Sequence, residues 1–191
     1  MVVMLSDAPT GHPETRLIVV RGNSGSGKST VARRLSLGHG RGCALIEQDH
    51  LRRVVLRERE LPGGHAPDLI AEVARFALDR HYHVIVEGIL FAGHYAPMLA
   101  ALWRAHRGGS WCFYLDVSFE ETVRRHATRP QAAEFTVEDM RGWYQHRDLL
   151  GFAGEHVIPQ TSTLDRTVAL IAEVTGLPQD ARDDDVHVRR T

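Results

Sequence analysis

Arg16-Leu17-Ile18-Val19-Val20-Arg21-Gly22-Asn23-Ser24-Gly25-Ser26-Gly27-Lys28-Ser29-Thr30 is the stretch that decides the fold. A continuous apolar run ends in a glycine-rich turn, and the turn leads directly into VARRLSL, whose apolar residues recur at helical spacing. Strand, turn and helix in that order are the setting that the pattern G-x-x-x-x-G-K-[ST] needs, and Gly22 to Ser29 match it in full. Gly22 and Gly27 free the backbone so that successive N–H groups can turn inward and wrap a phosphate at a helix N-terminus. Lys28 supplies a compact ammonium able to bridge β- and γ-phosphates, and Ser29 a hydroxyl for Mg2+. Gly22, Asn23, Ser24, Gly25, Ser26, Gly27, Lys28, Ser29 and Thr30 therefore form the candidate nucleotide site, a bare Gly/Ser turn being the alternative.

Composition points the same way. The chain holds 22 arginines and a single lysine, and that lysine, Lys28, occupies the lysine slot of the motif. Its 191 residues suit one domain, with 43% hydrophobic and 25% charged residues as in globular chains. A formal charge of −1 lacks the basic excess of a protein that grips long nucleic acid, so such a partner is not expected. Cys43 and Cys112 sit in apolar runs without CxxC spacing, which predicts buried thiols, no disulfide and a reducing compartment. With no apolar run of 18 residues and no secretory pattern at the N-terminus, no membrane association and a cytoplasmic location are expected.

Working outward from the motif, short apolar runs alternate with helical patterns. RLIVVR (16–21), CALIEQ (43–48), VIVEG (84–88), WCFYLDV (111–117) and HVIP (156–159) read as five strands, with helices over 49–60, 66–81, 95–106 and TLDRTVALIAEV between or after them. Strands that are apolar throughout predict a parallel sheet covered on both faces, hence an α/β fold of the P-loop NTPase type with a short lid. Ser118 to Glu121 and Thr136 to Asp139 have capping-box spacing and start helices running to about Thr128 and His146. Met140, Trp143 and Tyr144 lie at helical spacing in the second of these and read as core. Residues 1–14 and 177–191 read as flexible tails around a domain at 15–176.

The acids and arginines beyond the loop are placed by position. Asp49 ends the second strand, which is expected beside the phosphate-loop strand, so that Asp49 faces the γ-phosphate as a general base or helps hold Mg2+ through water. The alternative is a helix N-cap paired with Arg52 or Arg53. Arg52, one turn on, would orient an acceptor or screen the transferring phosphoryl group. Glu87 at the end of the third strand resembles a Walker-B acid that orders water on Mg2+ or binds the acceptor. Arg124, Arg125 and Arg129 in FEETVRRHATRP read as lid arginines, or as a solvated helix face. The Gly/Pro-rich LRERELPGGHAP (56–67) is the candidate acceptor-specificity loop. His50 and His126 lie near these residues and are candidate phosphate contacts, while the spacing of the twelve histidines suggests no zinc site.

A regulatory GTPase is excluded, because its N-K-x-D guanine loop needs a second lysine. A P-loop, then Asp-x-x-Arg after strand two, then Arg-x-x-x-Arg after strand four resembles the kinase module of polynucleotide 5′-hydroxyl kinases, chloramphenicol phosphotransferase and zeta-toxin-type kinases. The resemblance implies ATP and Mg2+ at Lys28 and Ser29, Asp49 as base, Arg52 on the acceptor, and Arg125 and Arg129 in a lid. The expected function is transfer of the ATP γ-phosphate to a hydroxyl of a small molecule such as a nucleoside, sugar or antibiotic. A 5′-hydroxyl polynucleotide kinase and a non-catalytic nucleotide switch are the alternatives.

Overall fold

The computed structural model describes residues 8–127 and 135–179. Its strands are β1 (Arg16–Gly22), β2 (Cys43–Glu47), β3 (His83–Gly88), β4 (Gly109–Asp116) and β5 (Glu155–Pro159). Its helices are α1 (Lys28–His39), α2 (Ala66–Leu78), α3 (Ala92–Ala105), α4 (Phe119–His126), α5 (Val137–Trp143) and α6 (Leu164–Thr175), with a π-helical segment at His50–Val55. All five strands are parallel, in the order β2-β3-β1-β4-β5. The strand neighbouring β1 on one side is thus β3, not β2. It is Glu87 that lies level with Val20 of the phosphate-loop strand, while β2 forms the sheet edge with Glu47 level with Glu87.

Period-two alternation along the central strands sorts the core onto two faces. Leu17, Val19, Val84 and Val86 meet Ile70 and Leu78 of α2 and Tyr95, Leu99 and Leu102 of α3. Ile18, Val20 and Ile85 meet Val31 and Leu35 of α1 and Ile171 of α6. Each large apolar side chain so buried contributes about 1.5–3 kcal/mol, which holds the C-terminal ends of β1 and β3 rigid beneath the site.

Helix limits differ from expectation in two places that matter. The helix anticipated over 49–60 survives only as the π-helical segment, because Arg57 turns into the left-handed region (φ 57°) and the chain then runs irregularly to Ala66. Helix α5 ends at Trp143, where Tyr144 becomes extended, short of His146. Thr136 and Asp139 form the full capping box. Ser118 caps Glu121 N–H, but the Glu121 carboxylate turns away to Arg124 and Arg125.

Residues 8–14 are fastened rather than frayed. Thr10 bridges His106 in parallel and donates its hydroxyl to Asp79 at 2.8 Å, and Arg75 donates to the Ala8 carbonyl. At the other end Leu177 is buried in the core, beyond the expected boundary at 176. His12, Glu14 and His81 form, among the described residues, the one histidine–acid trio close enough to consider for a metal ion. The two imidazoles stack face to face at 3.5 Å with 13° between planes, so their in-plane lone pairs lie in separate, nearly parallel planes and do not aim at one point between the rings. Glu14 holds His81 Nδ1 at 2.9 Å, and the trio ties the N-terminal arm to the turn before β3.

Candidate active site

The loop between β1 and α1 takes the shape that its glycines permit. Gly27, at φ 100°, caps α1 in the left-handed region, and Gly25, at φ 83°, lies so close to α4 that a Cβ there would stand 2.7 Å from the Thr122 carbonyl. Lys28 is the first residue of α1, its Nζ 3.5 Å from the Asn23 carbonyl. Ser29 donates its hydroxyl to Glu87 Oε2 at 3.0 Å. Glu87 is 3% exposed, and burial raises its pKa while the Lys28 ammonium and the Ser29 hydroxyl act in the opposite sense. Two hard oxygen donors and a cation thus converge beside the loop, a donor set that fits Mg2+ held in part through water.

Two cavities border the loop, one along Ser26, Gly27 and Thr30 and the other at Ser24. One, of about 450 Å3, is bounded by Ser26, Gly27 and Thr30, by Arg124 and Arg125 of α4, and by Gln160 to Thr163 after β5. Arg125 spans three partners here, donating to Glu121 Oε1 at 2.7 Å, to the Ser26 carbonyl at 2.9 Å and to the Gln160 carbonyl at 3.4 Å. The other cavity, of about 530 Å3, is reached from Ser24 and is lined by Asp49, Arg52, Arg59 and Glu60, with Phe91, Phe135 and Trp143 as its aromatic walls. Volumes of this size suit small ligands.

The five-stranded parallel sheet, its strand order and the loop that wraps the N-terminus of α1 make this a P-loop NTPase fold. An AAA domain family (AAA_33) matches residues 17–147. The chain belongs to that family. No curated protein matches it by sequence. An unliganded sugar kinase from a Janibacter species is similar in structure, with 16% identity, a TM-score of 0.64, and 88% of this chain and 99% of that one covered. The APS kinase of Mycobacterium tuberculosis in complex with AMPPNP and APS is similar at 20% identity and a TM-score of 0.65, covering 85% and 98%. The tunicamycin resistance protein of Deinococcus radiodurans gives 16% identity, a TM-score of 0.59, and 88% and 100% coverage. These likenesses are of fold.

Within this AAA domain the anticipated residues divide. Gly22, Ser24, Gly25, Ser26, Gly27, Lys28, Ser29, Thr30 and Glu87 gather around the loop, and Asp49 and Arg52 face the second cavity. Asp49 occupies the N-cap position before His50 without a side-chain capping bond; its carboxylate pairs with Arg52 at 2.9 Å and Arg53 at 3.9 Å. Arg52 also meets Glu60 at 3.2 Å. The Asn23 side chain does not face the phosphate position; it is buried and bonds to Gln145 and Tyr114. Arg124 is largely exposed and bound to Glu121. Arg129 lies outside the described residues. His126 is buried, stacked on Phe135 and bonded to its carbonyl, so it serves packing, not phosphate.

Trp143 leaves the core assigned to it: Met140 is buried, but Trp143 is 41% exposed and walls the second cavity. Gln48 and Glu60 were not singled out from the sequence. Glu60 accepts from Gln48 Nε2 at 2.9 Å and from Tyr95 Oη at 3.2 Å, and meets His94 Nδ1 at 3.2 Å. Burial, and then the Glu60 charge, push the Tyr95 pKa far up, so its phenol stays a donor. A carboxylate within a Gly/Pro-rich loop carries no periodic signal; only the fold brings Glu60 to Gln48 and Tyr95.

Proposed function

We propose that this AAA domain is an ATP-dependent kinase that transfers the γ-phosphoryl group to a hydroxyl of a small molecule such as a nucleoside, sugar or antibiotic. The observation that carries the reading is the pair of cavities meeting at the phosphate loop, one on the Thr30 and α4 side for the donor and one on the Ser24 and Asp49 side for the acceptor. A nucleotide switch needs only the first. The near-neutral chain argues for a small acceptor over a polynucleotide.

In this reading the loop N–H groups and Lys28 hold the phosphates, and Lys28 moves from the Asn23 carbonyl to meet charge on the γ-phosphate. Ser29 and Glu87 would hold Mg2+, which neutralises phosphate charge when bound. Asp49 accepts the proton of the acceptor hydroxyl, oriented by its pairing with Arg52. Arg52, fixed between Asp49 and Glu60, positions the acceptor. Arg125 closes α4 onto the loop and excludes water, with Arg129 as a second lid arginine. Both thiols are free, in keeping with a cytoplasmic protein, and no helix of the described residues is long and apolar enough to cross a membrane. A screen for transfer of labelled γ-phosphate across nucleosides, sugars, antibiotics and 5′-hydroxyl oligonucleotides tests the reading. Labelled product from a small acceptor supports it, and labelled oligonucleotide alone would replace it with the polynucleotide reading.

A further inference from the structure

Asn23 follows the first glycine of the phosphate loop, yet its side chain is committed elsewhere. Its Nδ2 donates to the Gln145 carbonyl at 2.8 Å, and its Oδ1 accepts from the Gln145 N–H at 3.0 Å. The amide thus pairs with one backbone residue in both directions, as a neighbouring strand would, and a 3.3 Å contact with Tyr114 Oη completes its surroundings. Gln145 does not itself line the acceptor cavity, but it lies two residues beyond Trp143, which does. Three residues further on, Asp148 pairs with the fully buried Arg21 at 2.8 Å and accepts from Ala92 N–H at 2.9 Å, beside Phe91 of the same cavity. Meanwhile the Asn23 backbone carbonyl faces the Lys28 ammonium at 3.5 Å, a contact that must change when Lys28 takes up phosphate. One residue therefore touches the nucleotide-responsive cation through its backbone and, through its side chain, the segment that runs on from the Trp143 wall.

We propose that Asn23 is a positioning residue that transmits filling of the phosphate loop to the Trp143 and Phe91 walls of the acceptor cavity, through its paired bonds to Gln145. The proposal rests on reading the two cavities as donor and acceptor sites. Coupling of this kind would complete the acceptor site only after the nucleotide is seated.

Hydrogen exchange of the full chain, with and without AMPPNP and Mg2+, tests it without any acceptor. In the wild type the nucleotide should slow exchange across residues 143–150. In Asn23→Ala, at nucleotide concentrations that saturate the variant, that slowing should be lost while protection of the loop itself remains. Gln145→Pro supplies an independent variant: Tyr144 already has the extended conformation (φ −68°, ψ 125°) that precedes proline, and the change deletes the N–H that Asn23 Oδ1 accepts along with an exposed side chain, while fixing φ at 145. It should also diminish the slowing, whereas Tyr114→Phe, which removes only the longer contact, should keep it. Slowing that persists in Asn23→Ala and Gln145→Pro, or a wild type that shows none, would overturn the proposal. Failure to find any acceptor would instead count against the kinase reading and leaves this measurement intact.

Discussion

At the scale of single residues, Lys28 is the sharpest case, since the sequence spends its one lysine in the phosphate loop and the fold places it at the start of α1. Lys28→Ala should lower phosphoryl transfer by about two orders of magnitude or more with the melting temperature unchanged, because it removes charge stabilisation and no packing. Unchanged turnover in a folded variant would remove the loop from the mechanism. Asp49→Asn should reduce kcat by about 10²–10⁴-fold, the usual contribution of a general base, while nucleotide affinity measured by titration calorimetry stays near wild type. A parallel fall in both would make Asp49 a Mg2+ partner instead. These positions were legible because each has a motif or a strand end to mark it. Trp143 and Glu60 were not: an aromatic at helical spacing reads as core until the helix is seen to stop there, and Glu60 gains its meaning from partners 12 and 35 residues away.

At the scale of elements, the sequence placed all five strands, but not their neighbours. Asp49 was assigned a place beside the phosphate-loop strand, and β3 stands between them, since sequence order does not state which crossover passes which edge. The contact of α4 with the loop was also invisible, although Gly25 carries its signal: both its positive φ and its close approach to Thr122 exclude a side chain. Gly25→Ala should cost about 1–3 kcal/mol from backbone strain alone and should also weaken nucleotide binding, as α4 is pushed from the loop. Thermal melts and nucleotide titration read the two effects, and a variant as stable as wild type would contradict the geometry. Arg125→Lys should behave nearly as Arg125→Ala, each lowering kcat by about tenfold or more, because one ammonium cannot serve Glu121, Ser26 and Gln160 together. Near wild-type kcat in the lysine variant would show that the three-way clasp is dispensable.

At the scale of the whole molecule, the sheet keeps its ligand end and its opposite end chemically separate. At the end away from the phosphate loop, buried His106 bonds Thr15 at 2.9 Å and Ser110 at 2.8 Å, and burial lowers its pKa from 6.5 to about 4. The unfolded chain therefore binds the extra proton between those values, and stability should decline as pH falls from about 6.5 toward 4. Thermal melts across that window should show the decline, and His106→Gln should lessen it, the remainder belonging to His83, whose pKa burial also lowers to about 4; an equal slope in the variant would place the effect elsewhere. The ligand end carries the central claim, that two cavities share one phosphate loop so that a donor and an acceptor meet there. The most direct test follows the labelled γ-phosphate of ATP in the presence of each small hydroxyl acceptor. The account predicts an acceptor phosphate ester whose formation depends on Lys28 and Asp49. Label released only as inorganic phosphate, at a rate that no acceptor changes, would contradict it.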